Sequence, residues 1–345
     1  MKREENQFCL NHAASKRQFF ISSRILLSVI LAVCSSAHLA AGAAERIGYY
    51  VDSGYFNLFV ESKPRTFYQL ETSADLKTWS SFYNPFLGAD GSSFSFGVEM
   101  SPGSSFFRFR TEDVPFDVES GFLTMSDGAR MYRTVGGSGP VIVFIHGGTQ
   151  MSDDWLAQLV FFGRTHRVVI YDLRGFYRSE LGNDDSSPWN WSWSKTNRAT
   201  VDLSELINNM TNGPVKICGL SMGSAIAAQY AVMYPSRVSK LILASPWADN
   251  TFPRDAQIQN LNALADKTLV LVGSEDTWGS KEEVEWAQTQ GYTAQVSTVA
   301  GADHTMNTSR TADFNTLVGA FFADPVGLER PDPPLTMKSL RAGQR

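Results

Sequence analysis

Gly219-Leu220-Ser221-Met222-Gly223 decides the reading of this 345-residue chain. The stretch fits G-x-S-x-G, a tight turn between a strand and a helix that lifts a serine hydroxyl clear of the backbone. Glycine is needed on both sides because side chains there would collide with the strand or the helix. The flanks agree with this. Gly213-Pro214-Val215 prepares a short buried strand that ends in Lys216-Ile217-Cys218, and Ser224-Ala225-Ile226-Ala227-Ala228-Gln229-Tyr230-Ala231 is small, apolar and helix-prone.

Outward from the turn the pattern alternates strand and helix. Val141 to Ile145 is a continuous apolar run, as expected of a parallel strand covered on both faces. Met131–Val135, Arg167–Tyr171, Lys240–Ala244, Thr268–Val272 and Ala294–Val299 read as further strands. Asp154–Phe162, Thr200–Met210 and Phe314–Phe322 read as helices. Such alternation predicts an α/β class with a mostly parallel sheet covered on both sides, over residues 116–323. No repeat and no nucleotide-binding glycine loop is visible.

A serine hydroxyl needs a base within hydrogen-bond reach, and histidine suits because it titrates near neutrality. His304, in Gly301-Ala302-Asp303-His304, leaves the last strand and is the expected base. His166 precedes a strand and belongs to the opposite end of the sheet. His146 opens the loop His146-Gly147-Gly148-Thr149, where a role in shaping the loop is preferred. The base needs a carboxylate to hold its tautomer. Asp276, after strand Thr268–Val272, is the first choice, with Asp249 and Glu275 as alternatives; Asp303 sits too close along the chain. The oxyanion donors are expected from the N–H of Met222 and from Gly148, with Thr149 close behind. The catalytic set is thus Ser221, Asp276 and His304. A base of this kind predicts activity that rises through roughly pH 6 to 7.5.

Five motifs stand in order: Val143-Phe144-Ile145-His146-Gly147-Gly148, Asp172-Leu173-Arg174-Gly175-Phe176-Tyr177-Arg178-Ser179, the serine turn, Gly273-x-x-Asp276, and Gly301-Ala302-Asp303-His304. On these the chain from about residue 120 to 323 resembles an α/β-hydrolase. The resemblance implies hydrolysis of an ester, thioester or amide through an acyl-serine, with no metal or organic cofactor. Serine at the turn argues against the epoxide hydrolase and haloalkane dehalogenase branches. Two departures stand out. Tyr177 occupies a position where the family usually has glycine, so its loop must bend differently or take a rarer backbone angle. Only Pro246 to Lys267 separates two strands where a helical lid normally sits, which predicts a minimal cap and an open, shallow site. Trp189, Trp191 and Trp193 either overhang that site or pack against the preceding β segment.

Residues 45–113 differ in texture. Tyr55–Val60, Phe67–Thr72, Ser92–Val98 and Phe106–Arg110 alternate with period two, with turns such as Ala89-Asp90-Gly91 between them. That predicts a small all-β sandwich-like domain. Tyr68-Gln69-Leu70-Glu71-Thr72-Ser73-x-Asp75-Leu76-x-x-Trp79, closing on Phe106-Phe107-Arg108, resembles a small β module of secreted bacterial proteins. Trp79 and the phenylalanines read as its core; exposed aromatics would allow surface or carbohydrate contact.

Residues 1–44 read as a signal peptide. Their basic segment ends at Arg24, an apolar core runs from Ile25 to Val33, and Ala41-Gly42-Ala43 fits a cleavage site. The expectation is export, with a retained membrane anchor as the alternative. Cys9 and Cys34 would leave with the signal, so Cys218 would remain alone and form no intrachain disulfide. The whole chain carries a net charge of −5, and the basic residues of its first segment make the remainder more acidic still. No basic stripe exists, which argues against a nucleic-acid partner. The tail 324–345 is Pro-rich and charged and is expected to be disordered. The function expected is an exported serine hydrolase acting on a small-molecule or polymer ester. The rival is a catalytically silent binding module on the same fold.

Overall fold

The computed structural model describes residues 47–52, 55–82, 85–88, 93–99, 106–182, 188–194, 196–254 and 258–323. The expectations for 1–44, for the Ala89-Asp90-Gly91 turn and for 324–345 lie outside the described residues.

Fifteen strands are described: β1 Ile47–Asp52, β2 Tyr55–Glu61, β3 Thr66–Ser73, β4 Ser80–Ser81, β5 Phe86–Leu87, β6 Ser93–Glu99, β7 Phe106–Asp113, β8 Val118–Thr124, β9 Arg130–Gly136, β10 Val141–Ile145, β11 Arg167–Tyr171, β12 Val215–Leu220, β13 Val238–Ala244, β14 Thr268–Gly273 and β15 Gln295–Val299. The helices are α1 Leu156–Phe162, α2 Arg198–Met210, α3 Met222–Met233, α4 Ile258–Asn262, α5 Ser280–Thr289, α6 Met306–Ser309 and α7 Thr311–Phe322.

The first seven strands form two small antiparallel sheets. One has the order β1-β2-β6; the other is built on β3, which pairs with β4, β5 and β7. Leu58 and Val60 of the first sheet meet Tyr68, Leu70, Phe107 and Phe109 of the second, with Phe86, Phe94 and Phe96 packed on them. Phe107 and Phe109 therefore are core, with Phe86, Phe94 and Phe96 at its margin, whereas Phe82 is exposed. Trp79 is not part of it: it stands half-buried with the Arg108 guanidinium 4.2 Å from its ring centroid.

The remaining strands form one sheet in the order β15-β14-β13-β12-β10-β11-β9-β8. From β10 to β15 the pairings are parallel, while β9 and β8 add on antiparallel at one edge. Side chains alternate faces along each strand. Val141, Val143, Ile145, Val169, Tyr171, Ile217, Leu241, Leu243 and Val270 pack under α2 and α3, whereas Ile142, Phe144, Val168, Ile170, Cys218, Leu220, Ile242 and Leu271 pack under α1 and α7. Burial on both faces is why these strands read as unbroken apolar runs. Phe67 and Val114 join the second of these cores, which ties the β3 sheet to α1.

The parallel arrangement puts the carboxyl ends of β10, β12, β14 and β15 along one rim. The loops leaving them carry Gly148, Ser221, Asp276 and His304. His166 precedes β11 at the other end, where its ring nitrogen lies 3.2 Å from Lys216 Nζ. Between β13 and β14 the described residues form only α4 and a single 3-10 turn, Ala265–Lys267.

Candidate active site

The turn after β12 is as tight as its glycines suggest. A Cβ on Gly219 would lie 2.1 Å from the Gly223 carbonyl oxygen, and one on Gly223 would lie 2.3 Å from the Ile145 carbonyl oxygen. Ser221 itself has φ 53 and ψ −121, a conformation few L-residues adopt. Its N–H is held by the Ala244 carbonyl at 3.0 Å, and its own carbonyl accepts from Ser224 N–H at 2.8 Å. Packing between strand and helix thus holds the strain and leaves the hydroxyl projecting from the rim.

His304 meets that hydroxyl. Its Nε2 is 2.9 Å from Ser221 Oγ, and its Nδ1 is 2.9 Å from Asp276 Oδ2. The Asp276 side chain is fully buried. Burial works against its charge, but hydrogen bonds from His304, Ser280 and the Trp278 N–H outweigh that and hold its carboxyl below the usual carboxylate range. The structure does not bring the other carboxylates to the histidine. Asp249 is exposed and pairs with Arg254. Glu275 is exposed beside Gly301. Asp303 is engaged by Thr305 N–H and by the hydroxyls of Thr305 and Ser309.

The loop after β10 lies against the serine: a Cβ on Gly147 would be 3.0 Å from Ser221 Cβ. Met222 is the first residue of α3, so its N–H has no intrahelical acceptor. The N–H groups of Gly148 and Thr149 also have no acceptor among the described residues, whereas Gly147 N–H donates to Gln150 Oε1 at 3.3 Å. Gln150 in turn donates to Asn307 Oδ1, three residues beyond His304, and so couples the two loops.

His146 shapes this loop without touching Ser221. It is fully buried; its Nε2 accepts from Leu173 N–H at 2.9 Å, and its Nδ1 is 2.7 Å from the Gly147 carbonyl. Those partners call for a neutral ring with the proton on Nδ1. Burial holds its pKa down to about 4, against 6.5 for a free histidine. The unfolded chain therefore takes up this proton first, and the stability contributed by neutral His146 is present above pH 6.5 and lost as pH falls towards 4. That difference is worth on the order of 3 kcal/mol. In urea titrations, the destabilisation by His146→Gln should therefore shrink by about 2–3 kcal/mol between roughly pH 7.5 and pH 4.

Tyr177 takes the rarer backbone angle, with φ 45. Of the three clustered tryptophans, Trp189 overhangs the site: a Cβ on Gly148 would lie 2.3 Å from its Cη2. Its ring also contacts Phe176 and Trp247, with centroids 5.8 and 6.1 Å away. Trp191 and Trp193 instead pack on the core under α2 and α3, and Trp193 Nε1 donates to the Asn250 carbonyl.

Residues 140–280 match the family model for the alpha/beta hydrolase fold. The fold is that of an α/β-hydrolase. Two curated relatives of this chain carry the name hydrolase. It is 29% identical over 119 residues to the uncharacterized hydrolase YraK of Bacillus subtilis (strain 168), covering 34% of this chain and 42% of that protein. It is 26% identical over 165 residues to (E)-2-((N-methylformamido)methylene)succinate hydrolase of Acinetobacter baylyi, covering 47% and 59%. The chain thus spans about half the length of the curated relatives it matches. Among solved structures, a predicted CIB-like hydrolase from Thermoplasma acidophilum superposes with a TM-score of 0.52 at 19% identity, over 60% of this chain and 98% of that one. This likeness speaks to the fold.

Sequence reasoning missed three groups in this site. Ser245, the first residue after β13, donates its hydroxyl to the His304 carbonyl at 2.7 Å. Ser280 Oγ is 3.4 Å from His304 Nδ1. Trp278 covers the His304 ring. Their signal was position alone: Ser245 and Trp278 lie in loops leaving the strand ends at the rim that carries Ser221, and Ser280 opens α5 directly after such a loop.

Proposed function

We propose that the chain is a serine hydrolase that cleaves carboxylic esters through an acyl-serine. The observation that carries this reading is His304, with Ser221 Oγ on one ring nitrogen and Asp276 on the other, each at 2.9 Å. Ser221 Oγ attacks the ester carbonyl carbon as its proton passes to His304 Nε2. The carbonyl electron pair moves onto oxygen, where the N–H groups of Met222 and Gly148 receive it; such donors contribute roughly 3 kcal/mol each. Collapse breaks the bond to the alcohol oxygen, which takes the proton from His304 and leaves. Water then repeats the sequence and frees the carboxylic acid and Ser221. Asp276 keeps the accepting nitrogen turned to the serine and stabilises the imidazolium.

Ser221 stays partly exposed, and no helical lid crosses it among the described residues. A site this open suits bulky or polymeric esters as well as small ones. Export is part of the proposal and rests on residues 1–44; sequencing the amino terminus of the processed protein tests it.

A panel of p-nitrophenyl esters tests the chemistry. Hydrolysis is expected with kcat/KM rising through roughly pH 6 to 7.5, and Ser221→Ala should abolish it. A rate that stays flat from about pH 5 to 8 would exclude His304 as the base.

A further inference from the structure

The loop from Glu275 to Ser280 delivers more than a carboxylate. Trp278 N–H donates to Asp276 Oδ1 at 2.8 Å. The Trp278 indole lies flat on the His304 ring, with centroids 4.9 Å apart and planes 17° from parallel. Gly279, at φ 82, then turns the chain so that Ser280 Oγ returns to within 3.4 Å of His304 Nδ1. Trp278 is 60% exposed while His304 is 8% exposed. Burial of apolar surface therefore does not explain a tryptophan here, since most of its area stays in water. What the position secures is the stack.

We propose that Trp278 is a positioning residue for the reaction: its indole face holds the His304 ring in line with Asp276 and Ser221 and stabilises the imidazolium that forms when His304 takes the serine proton. The inference rests on the Ser221–His304 reading above. A cation over an indole face is attracted by the ring quadrupole, and a neutral ring is not attracted in that way. The contact therefore strengthens as the transition state develops, which is the condition for a contribution to kcat.

The groups facing His304 are few. Asp276 and Ser280 approach from the loop after β14, Ser221 from the turn after β12, and Ser245 from the end of β13. Asp303 is turned away to Thr305 and Ser309, and Glu275 and Arg310 stand beyond, around Gly301. Asp276 is the one charged group in contact with the ring among the described residues, so loss of the indole is not masked by a second charge.

Trp278→Leu keeps bulk over the ring and removes the π face. It should lower kcat about 3–10-fold with KM nearly unchanged, and move the acid limb of kcat/KM down by about 0.4–0.7 pH unit. Trp278→Phe should restore most of both. A second readout needs no substrate. A protonated imidazole in contact with indole quenches its fluorescence. The emission lost in Trp278→Phe should therefore contain a component that dims as pH falls through the histidine range and is absent in His304→Asn. An active enzyme whose Trp278→Leu variant keeps the native profile, or changes only KM, would overturn the role. So would the lack of any His304-dependent fluorescence step. A clear fluorescence step in a protein that hydrolyses no ester would instead overturn the catalytic reading, and the role with it, while leaving the stack in place.

Discussion

Asp276→Asn is expected to lower kcat by about 10³–10⁴-fold without unfolding the protein. The carboxylate accepts from His304 Nδ1 at 2.9 Å, which fixes the proton on that nitrogen and leaves Nε2 free to accept from Ser221. An asparagine amide would present its NH₂ to Nδ1 and favour the other tautomer. Nε2 would then carry a proton and could take none from the serine. The Asp276 carboxyl is held below the usual carboxylate range, so it stays ionised throughout the range in which a histidine base works. Steady-state kinetics on a p-nitrophenyl ester, with circular dichroism as a check on folding, measure the effect. A loss smaller than about tenfold would mean that Asp276 does not orient the base.

The largest effect on stability is expected away from the site. Arg174 is fully buried, with Nε and Nη2 each 2.7 Å from the Asp202 carboxylate and Nη1 2.9 Å from Asp127. Asp202 is buried as well and also accepts from Arg198 at 3.0 Å. Asp202→Ala would leave a guanidinium in the interior with two of its donors deprived of their carboxylate. Breaking a buried pair in this way costs roughly 3–5 kcal/mol. Typical domains hold only about 5–15 kcal/mol in total, so the urea midpoint should fall steeply. The exposed Lys281–Glu285 pair, 3.7 Å apart, supplies the contrast: Glu285→Ala should change stability by less than about 1 kcal/mol.

Arg174 also bears on how much of the molecule was legible in its sequence. The turn Asp172 to Ser179 was read as a motif, but nothing in it announced that Arg174 would reach Asp202 on α2. Local constraints were legible. Ser221 was readable because a strand, two glycines and a small-residue helix must coincide within a short stretch. Asp276 and His304 were readable because parallel strands point their carboxyl ends the same way. Tyr177 was legible as a strained position, since a non-glycine stands where the turn needs a positive φ.

The elements that were missed lack such signals. β8 lies at the sheet edge, is mostly exposed and carries Gly121 in its middle, so neither a continuous apolar run nor a clean alternation marks it. The sequence of α5, Ser280 to Thr289, is largely polar and buries only Ser280, Glu283, Val284 and Ala287. Glu283 is the telling member: its carboxylate accepts from the N–H groups of Asp249 and Phe252 and pins the short segment after β13. The minimal cap was legible as a length, while its anchor was a tertiary contact. Trp189 over Gly148 and Trp278 over His304 are likewise contacts between separate loops, which no periodicity encodes.

Everything proposed for this site depends on Ser221 being an activated nucleophile. Covalent labelling with a fluorophosphonate probe, read by peptide mass, tests that most directly. A single adduct on Ser221 is expected in the native protein, lost in both Ser221→Ala and His304→Ala. A folded native protein that takes no label would contradict it.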